Sequence, residues 1–343
     1  MEKGFPEYIS NRFCGQIFRA ASDYLTQRNI RRLPMQIHSV HAESADYSDL
    51  SEHSDTVRIP LCLAADVTVE EEGVPYRRTV HLAGEYSSRI ADCFTKCEIT
   101  VTGTVQQHFA CRRQRFDSFF LPQFSAEEAE EQAMQLLRLA YSYLDVHWRP
   151  QQIDPMRIAQ ALHICVRYGT LTESGSLPGR YVFADADVPL YDSTRKRMVP
   201  FRIPGRTLLL ERRMCGRKEM LRTAAARLLV RAYFYRLAYA FFAASRKNMH
   251  SFRETEAAQT IRQSAVQTDR LAAAVLMPKY ALMQKMQEYS AACGSVPDAE
   301  SLRIAVRQTA DFFGVTEQSC AARLKAVGAL PEAYQSSSAE ARD

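Results

Sequence analysis

Nine cysteines and eight histidines are the side chains of this sequence best suited to metal or nucleophilic chemistry. Thiolates and imidazoles bind zinc when short, repeated spacings bring them together. The cysteines (Cys14, Cys62, Cys93, Cys97, Cys111, Cys165, Cys215, Cys293 and Cys320) are odd in number and scattered, with no CxxC pair. Cys93 and Cys97 are the closest two, and would make a zinc site only with Cys111 or His108. Reduced thiols in a cytosolic protein are the expectation. The histidines are His38, His41, His53, His81, His108, His147, His163 and His250, and none has a second histidine four residues on. His38 and His41 lie three apart, in a polar stretch that reads as a loop.

Two arginines offer a different chemistry. Arg227 and Arg231 stand one helical turn apart within the most apolar stretch of the chain, residues 224–244. Arginine stays protonated and has no lone pair, so it repels a metal ion and attracts an anion. The anions are either internal, with Glu254, Glu256 and Asp269 as candidates, or the carboxylate or phosphate of a ligand. With Arg236, these charges argue against a membrane span and for a buried helix with a polar stripe. Ala310 to Leu324 has a helix-turn-helix look, with Gly314 at the turn and Thr316 as N-cap. Gln318, Ser319, Arg323 and Lys325 are its candidate DNA contacts. Arg195–Arg197 and Glu211–Lys218 both read as solvated loops, the second with the alternative of a rim that meets an acidic partner.

These residues need elements to position them. With 343 residues, two or three structural units are expected, and the balance of 44 basic against 39 acidic residues is too even to imply nucleic-acid binding. The start, MEKGFPEYISNRF, lacks a basic run followed by an apolar one, so a signal peptide is not expected. Residues 1–30 have helical periodicity and 38–56 read as a loop. Strands are expected at 57–69, 77–82 and 97–105, with a turn at Gly73 and Pro75. Ser125 and Glu128 form a capping box that opens a helix, and Asp154–Pro155 opens a second. Further strands are expected at 164–168, 179–184 and 207–210. Helices follow at 218–244, at 255–277 closed by Pro278, and at 299–313 and 316–327, before a polar tail.

This order resembles the ImmA/IrrE family of HExxH zinc metallopeptidases. The likeness runs through DPMRIAQALHICVRYGTL (154–171), GRYVFAD (179–185), PGRTLLLE (204–211), DRLAAAVLMP (269–278) and ADFFGVTEQSCAARLKAVG (310–328), covering about residues 119–330. Long members also carry an N-terminal β-rich region and a connector like FFLPQF (119–124). In the family two histidines one turn apart bind zinc and the glutamate between them polarises water. The resemblance places Arg227 and Arg231 at the histidines, Leu228 at the glutamate, and Ala265 or Gln267 at the acidic third ligand.

The expected fold is α+β. An N-terminal helix plus antiparallel β-rich domain spans 1–118. A mostly helical zincin-like domain with a small sheet spans 119–290, a C-terminal helix pair 291–332, and a disordered tail 333–343. The resemblance implies a cytoplasmic bacterial pseudopeptidase with no zinc, regulating an unidentified protein partner such as a repressor of a mobile element. The alternatives are a DNA-binding regulator and a metallopeptidase with a relocated site.

Overall fold

The computed structural model describes residues 4–29, 34–46, 56–71, 73–92, 94–104, 116–117, 119–142, 149–245, 254–292, 299–331 and 334. Within these the chain begins with α1 (Phe5–Arg12) and α2 (Cys14–Arg28). Strands β1 (Met35–Ala45), β2 (Thr56–Glu71), β3 (Val74–Arg89) and β4 (Glu98–Thr104) follow. Next come α3 (Ala126–Arg138) and α4 (Pro155–Ala161), then β5 (Cys165–Gly169), β6 (Gly179–Val182), β7 (Ala186–Asp192), β8 (Arg197–Ile203) and β9 (Thr207–Glu211). The remaining helices are α5 (Lys218–Phe234), α6 (Arg236–Ser245), α7 (Glu254–Leu276), α8 (Lys279–Ala292), α9 (Ala299–Phe313) and α10 (Glu317–Ala326). The fold is α+β. The chain divides into one unit of Met1–Gln123 with Phe234–Thr260, and another of Phe124–Tyr233 with Ile261–Asp343.

The first unit is an antiparallel meander, β1-β2-β3-β4. Gly73, at φ +80°, makes the tight β2–β3 turn, with Glu71 opposite Val74. Strand β2 alternates, so Val57, Ile59, Leu61, Leu63, Ala65, Val67 and Val69 all point into one buried layer. An aromatic cluster fills the core: Phe5 stands 4.9 Å from Phe120 and 5.0 Å from Tyr86, and Phe120 stands 5.3 Å from Phe241. Phe241 comes from α6, which explains why residues beyond 233 belong to this unit. Phe120 holds a positive φ of 61°. The Asp117 carboxylate fixes that turn by accepting from the backbone N–H groups of Phe119 at 2.9 Å and Leu121 at 2.8 Å. Burial raises the Asp117 pKa above the ordinary carboxyl value, and the two N–H donors lower it by less.

The second unit contains the sheet β5-β9-β6, parallel between β5 and β9 and antiparallel between β9 and β6. Its central strand is buried throughout. The capping box is present: Ser125 Oγ accepts from the Glu128 N–H at 3.2 Å, and a Glu128 oxygen accepts from the Ser125 N–H at 2.6 Å. Asp154 caps α4 through the Met156 N–H. Gly314, at φ +62°, turns α9 into α10, and Thr316 caps α10 through the Ser319 N–H.

Three local expectations are corrected. Residues 38–45 are strand rather than loop, because β1 pairs with β2 from Met35 to Ala45 and buries Val40, Ala42 and Ala45; residues 47–55 lie outside the described chain. The solvated loop read at Arg195–Arg197 is the exposed tip of the β7–β8 hairpin, with Arg197 already paired to Asp192. The helix expected over 218–244 is two, broken at Tyr235. Helix α8, unanticipated, follows Pro278 directly. Among the described residues no helix is long and apolar enough to cross a membrane.

Candidate functional site

Helix α5 places Arg227 on the wall of a groove in the second unit, with a volume of about 360 Å³. Helix α7 supplies Val266, Asp269 and Arg270, and the helix pair supplies Val315, Ser319 and Ala322. Most of this lining is small or apolar, and Val266 is 60% exposed. Arg227 Nε lies 2.6 Å from Asp269 Oδ1, with both side chains substantially solvated. Such a solvated pair contributes little stability, about 0–1 kcal/mol.

The other positions matched to the peptidase motif do not line the groove. Leu228 is buried, and a Cβ added to Gly179 on β6 would stand 2.6 Å from its Cδ1, so Leu228 packs against the sheet. Arg231 is half-buried, and among the described residues no carboxylate forms an ion pair with it. Ala265 and Gln267 are half-buried and absent from the groove wall. The acid of α7 that meets α5 is Asp269, one turn beyond Ala265. Internal pairing, one of the two outcomes open for these arginines, thus holds for Arg227.

Two further arginines hold this unit together. Arg222 on α5 donates to the carbonyl of Ile153 and, at 3.2 Å, to that of Phe313. Burial lowers its pKa. Arg323 on α10 is 4% exposed. Its two terminal nitrogens donate to both Glu130 oxygens at 2.5 and 2.7 Å, and its Nε donates to the Met277 carbonyl at 3.3 Å. Of the four candidate DNA contacts, Gln318 is exposed, Ser319 and Lys325 are half-buried, and Arg323 is inside.

Titratable groups elsewhere were less visible in the sequence. His38 and His41 sit on β1, with His38 Nε2 2.7 Å from Thr68 Oγ1. Cys97 donates to Gln16 Oε1, and burial pushes its thiol up to about 11. Its suggested zinc partners Cys93, His108 and Cys111 lie outside the described residues. Cys320 is buried and pushed up to about 12, by burial and then by Glu317. Three strands bring together Glu43, Cys62 and His81, whose donor atoms all lie within 4.8 Å of one another. No local spacing announces this trio, because each member stands nineteen positions from the next. Comparison with family models, with curated proteins and with solved structures yields no match to this chain.

Proposed function

We propose that this chain is a non-catalytic regulatory protein, built on an ImmA/IrrE-like peptidase scaffold, that binds a protein partner through the groove beside Arg227. The observation that carries the reading is the Arg227–Asp269 pair. On the family motif Arg227 takes the place of the first histidine, and an acid on the following long helix faces it. The pair joins α5 to α7 by a cation and an anion rather than by a metal, as a weak, solvated contact. Leu228, in place of the general base, cannot take a proton from water, and its side chain is buried. The order β9, a 3₁₀ turn at Arg212–Met214, then α5 also supports a zincin-like unit. The groove walls are apolar enough to bury a partner's apolar side chains, and the exposed Arg270 suits a carboxylate on the same segment. The partner implied by the resemblance is a repressor-type protein of a mobile element. DNA binding by the helix pair has less support, since Arg323 is engaged with Glu130 inside the fold.

Two measurements test this. Val266→Arg and Ala322→Arg place charge in the groove at exposed positions. A stoichiometric partner retained from host extract by the unaltered protein should be lost with both variants, with circular dichroism unchanged. Retention unaffected by either variant, or zinc-dependent cleavage of a protein substrate that Arg227→Ala abolishes, would overturn the proposal.

A further inference from the structure

We infer that the Cys62-bearing face of the N-terminal sheet holds a zinc-class divalent ion, ligated by Glu43, Cys62 and His81. The site shares no residue with the Arg227 groove and does not rest on the function proposed for it.

The register builds it. Cys62 on β2 lies opposite Ala83 and His81 on β3 opposite Ala64, so the two are diagonal neighbours on one sheet face. Glu43 falls at the irregularity in β1 between the pairs Ala42–Leu63 and Ser44–Cys62. Such a bulge re-aims one side chain, and here Glu43 Oε2 reaches 3.0 Å from His81 Nδ1 and 3.8 Å from Cys62 Sγ. In tetrahedral zinc, donors bonded at 2.0–2.3 Å stand ~3.4–3.6 Å apart. The two separations from Glu43 bracket that range, and the third, between the Cys62 sulfur and the imidazole, lies within 4.8 Å.

A second carboxylate on the same face gives the contrast. Asp66 accepts from Ser39 Oγ at 3.0 Å and Thr79 Oγ1 at 2.8 Å, with Arg77 alongside. Those are the hydroxyl and guanidinium partners of a structural acid. Glu43 has a thiol and an imidazole beside it, the donors that select zinc over magnesium or calcium. The charges also balance, since one thiolate and one carboxylate neutralise a divalent ion and the imidazole binds neutral. Cys62 is fully buried while Glu43 and His81 are about one-third exposed. Three ligands and an exposed side leave the fourth position to water or an incoming ligand.

Burial, and then the Glu43 carboxylate, hold the Cys62 thiol protonated in the metal-free protein. As the sulfur–metal bond forms, the S–H proton leaves to solvent, one per ion bound, so affinity falls as pH falls.

The test uses the full chain, stripped with chelator and dialysed against Zn²⁺ and, separately, Co²⁺. One equivalent of ion should bind, with a thiolate-to-cobalt charge-transfer band. Cys62→Ser should remove the band and weaken zinc binding by at least about a hundredfold, and His81→Ala by at least about tenfold. Cys14→Ser and Cys165→Ser, at exposed thiols, should change neither, nor should Arg227→Ala. If Cys62→Ser disturbs the fold by circular dichroism, His81→Ala and Glu43→Gln decide. Less than a tenth of an equivalent on the unaltered chain, or binding that survives His81→Ala and Glu43→Gln, would overturn the assignment.

Discussion

Replacing Glu130 by alanine tests how the second unit is held together. Arg323 is 4% exposed, and two of its three hydrogen bonds go to the Glu130 carboxylate. Those bonds do not stabilise the fold by their full strength, because taking a guanidinium out of water offsets most of it. Their removal is what costs. The Glu130→Ala substitution would leave a buried cation with only the 3.3 Å bond to the Met277 carbonyl. Breaking a buried pair this way costs about 3–5 kcal/mol. The Glu130 side chain is 27% exposed, so water reaches the gap and the lower end, about 3 kcal/mol, applies. Alanine is the best helix former, so α3 itself loses nothing. At about 2–4 °C per kcal/mol for a unit of this size, the melting temperature should fall by about 6–12 °C. Urea and thermal unfolding by far-UV circular dichroism, with hydrogen exchange across α3 and α10, measure it. Arg323→Leu in the same background should recover part of the loss, because it removes the stranded charge. A loss under about 1 kcal/mol for Glu130→Ala, or no recovery in the double variant, would refute the argument.

Three other outcomes follow from the same physics. Asp117→Asn retains the acceptor for both N–H bonds without a buried charge. The folded pKa of Asp117 lies above its unfolded value, so the charge destabilises the fold above the folded pKa, and this penalty vanishes below the unfolded one. Asp117→Asn should therefore stabilise by about 1 kcal/mol at pH 7, and the gain should shrink as pH falls through the raised pKa; a gain independent of pH would refute this. Gly314→Ala sets a Cβ against the Gln152 amide and 3.2 Å from Arg222 Nε, at φ +62°. It should cost about 1–3 kcal/mol in urea unfolding, whereas Gly216→Ala, with open space around it, should be near neutral. Ser125→Ala should cost about 1 kcal/mol by the same measurement, with exchange accelerated in the first turn of α3.

What the sequence reveals follows from how local each signal is. The Ser125–Glu128 box, the Asp154–Pro155 start and the Gly314–Thr316 turn each involve partners within a few residues, and all three are found as expected. The strand character of β1 is hidden because its exposed face is polar and its partner begins only after residue 55. The β7–β8 hairpin sets Pro189 opposite Pro200, and proline weakens the usual strand signature. Helix α8 starts immediately after the Pro278 that reads as a stop. At the candidate sites, the spacing of Arg227 and Arg231 is legible, but which α7 residue faces Arg227 depends on how two helices pack. The Glu43–Cys62–His81 trio needs two strand registers and a bulge, and periodicity supplies none of them.

The aromatic core of the first unit also bears on how the protein is made. Phe5, Tyr86 and Phe120 leave the ribosome well before Phe241, which is encoded 121 residues after Phe120. At ~5–20 residues per second, that interval lasts about 6–24 s. Throughout it a nascent four-stranded sheet has an apolar layer whose last aromatic does not yet exist. The chain emerging meanwhile is the first stretch of the other unit, which in turn awaits residues after 260. Neither unit can close before most of the polypeptide is synthesised. A stalled or prematurely ended chain would therefore expose sticky surface from both, and newly made protein should depend on chaperones more than a chain of two consecutive domains.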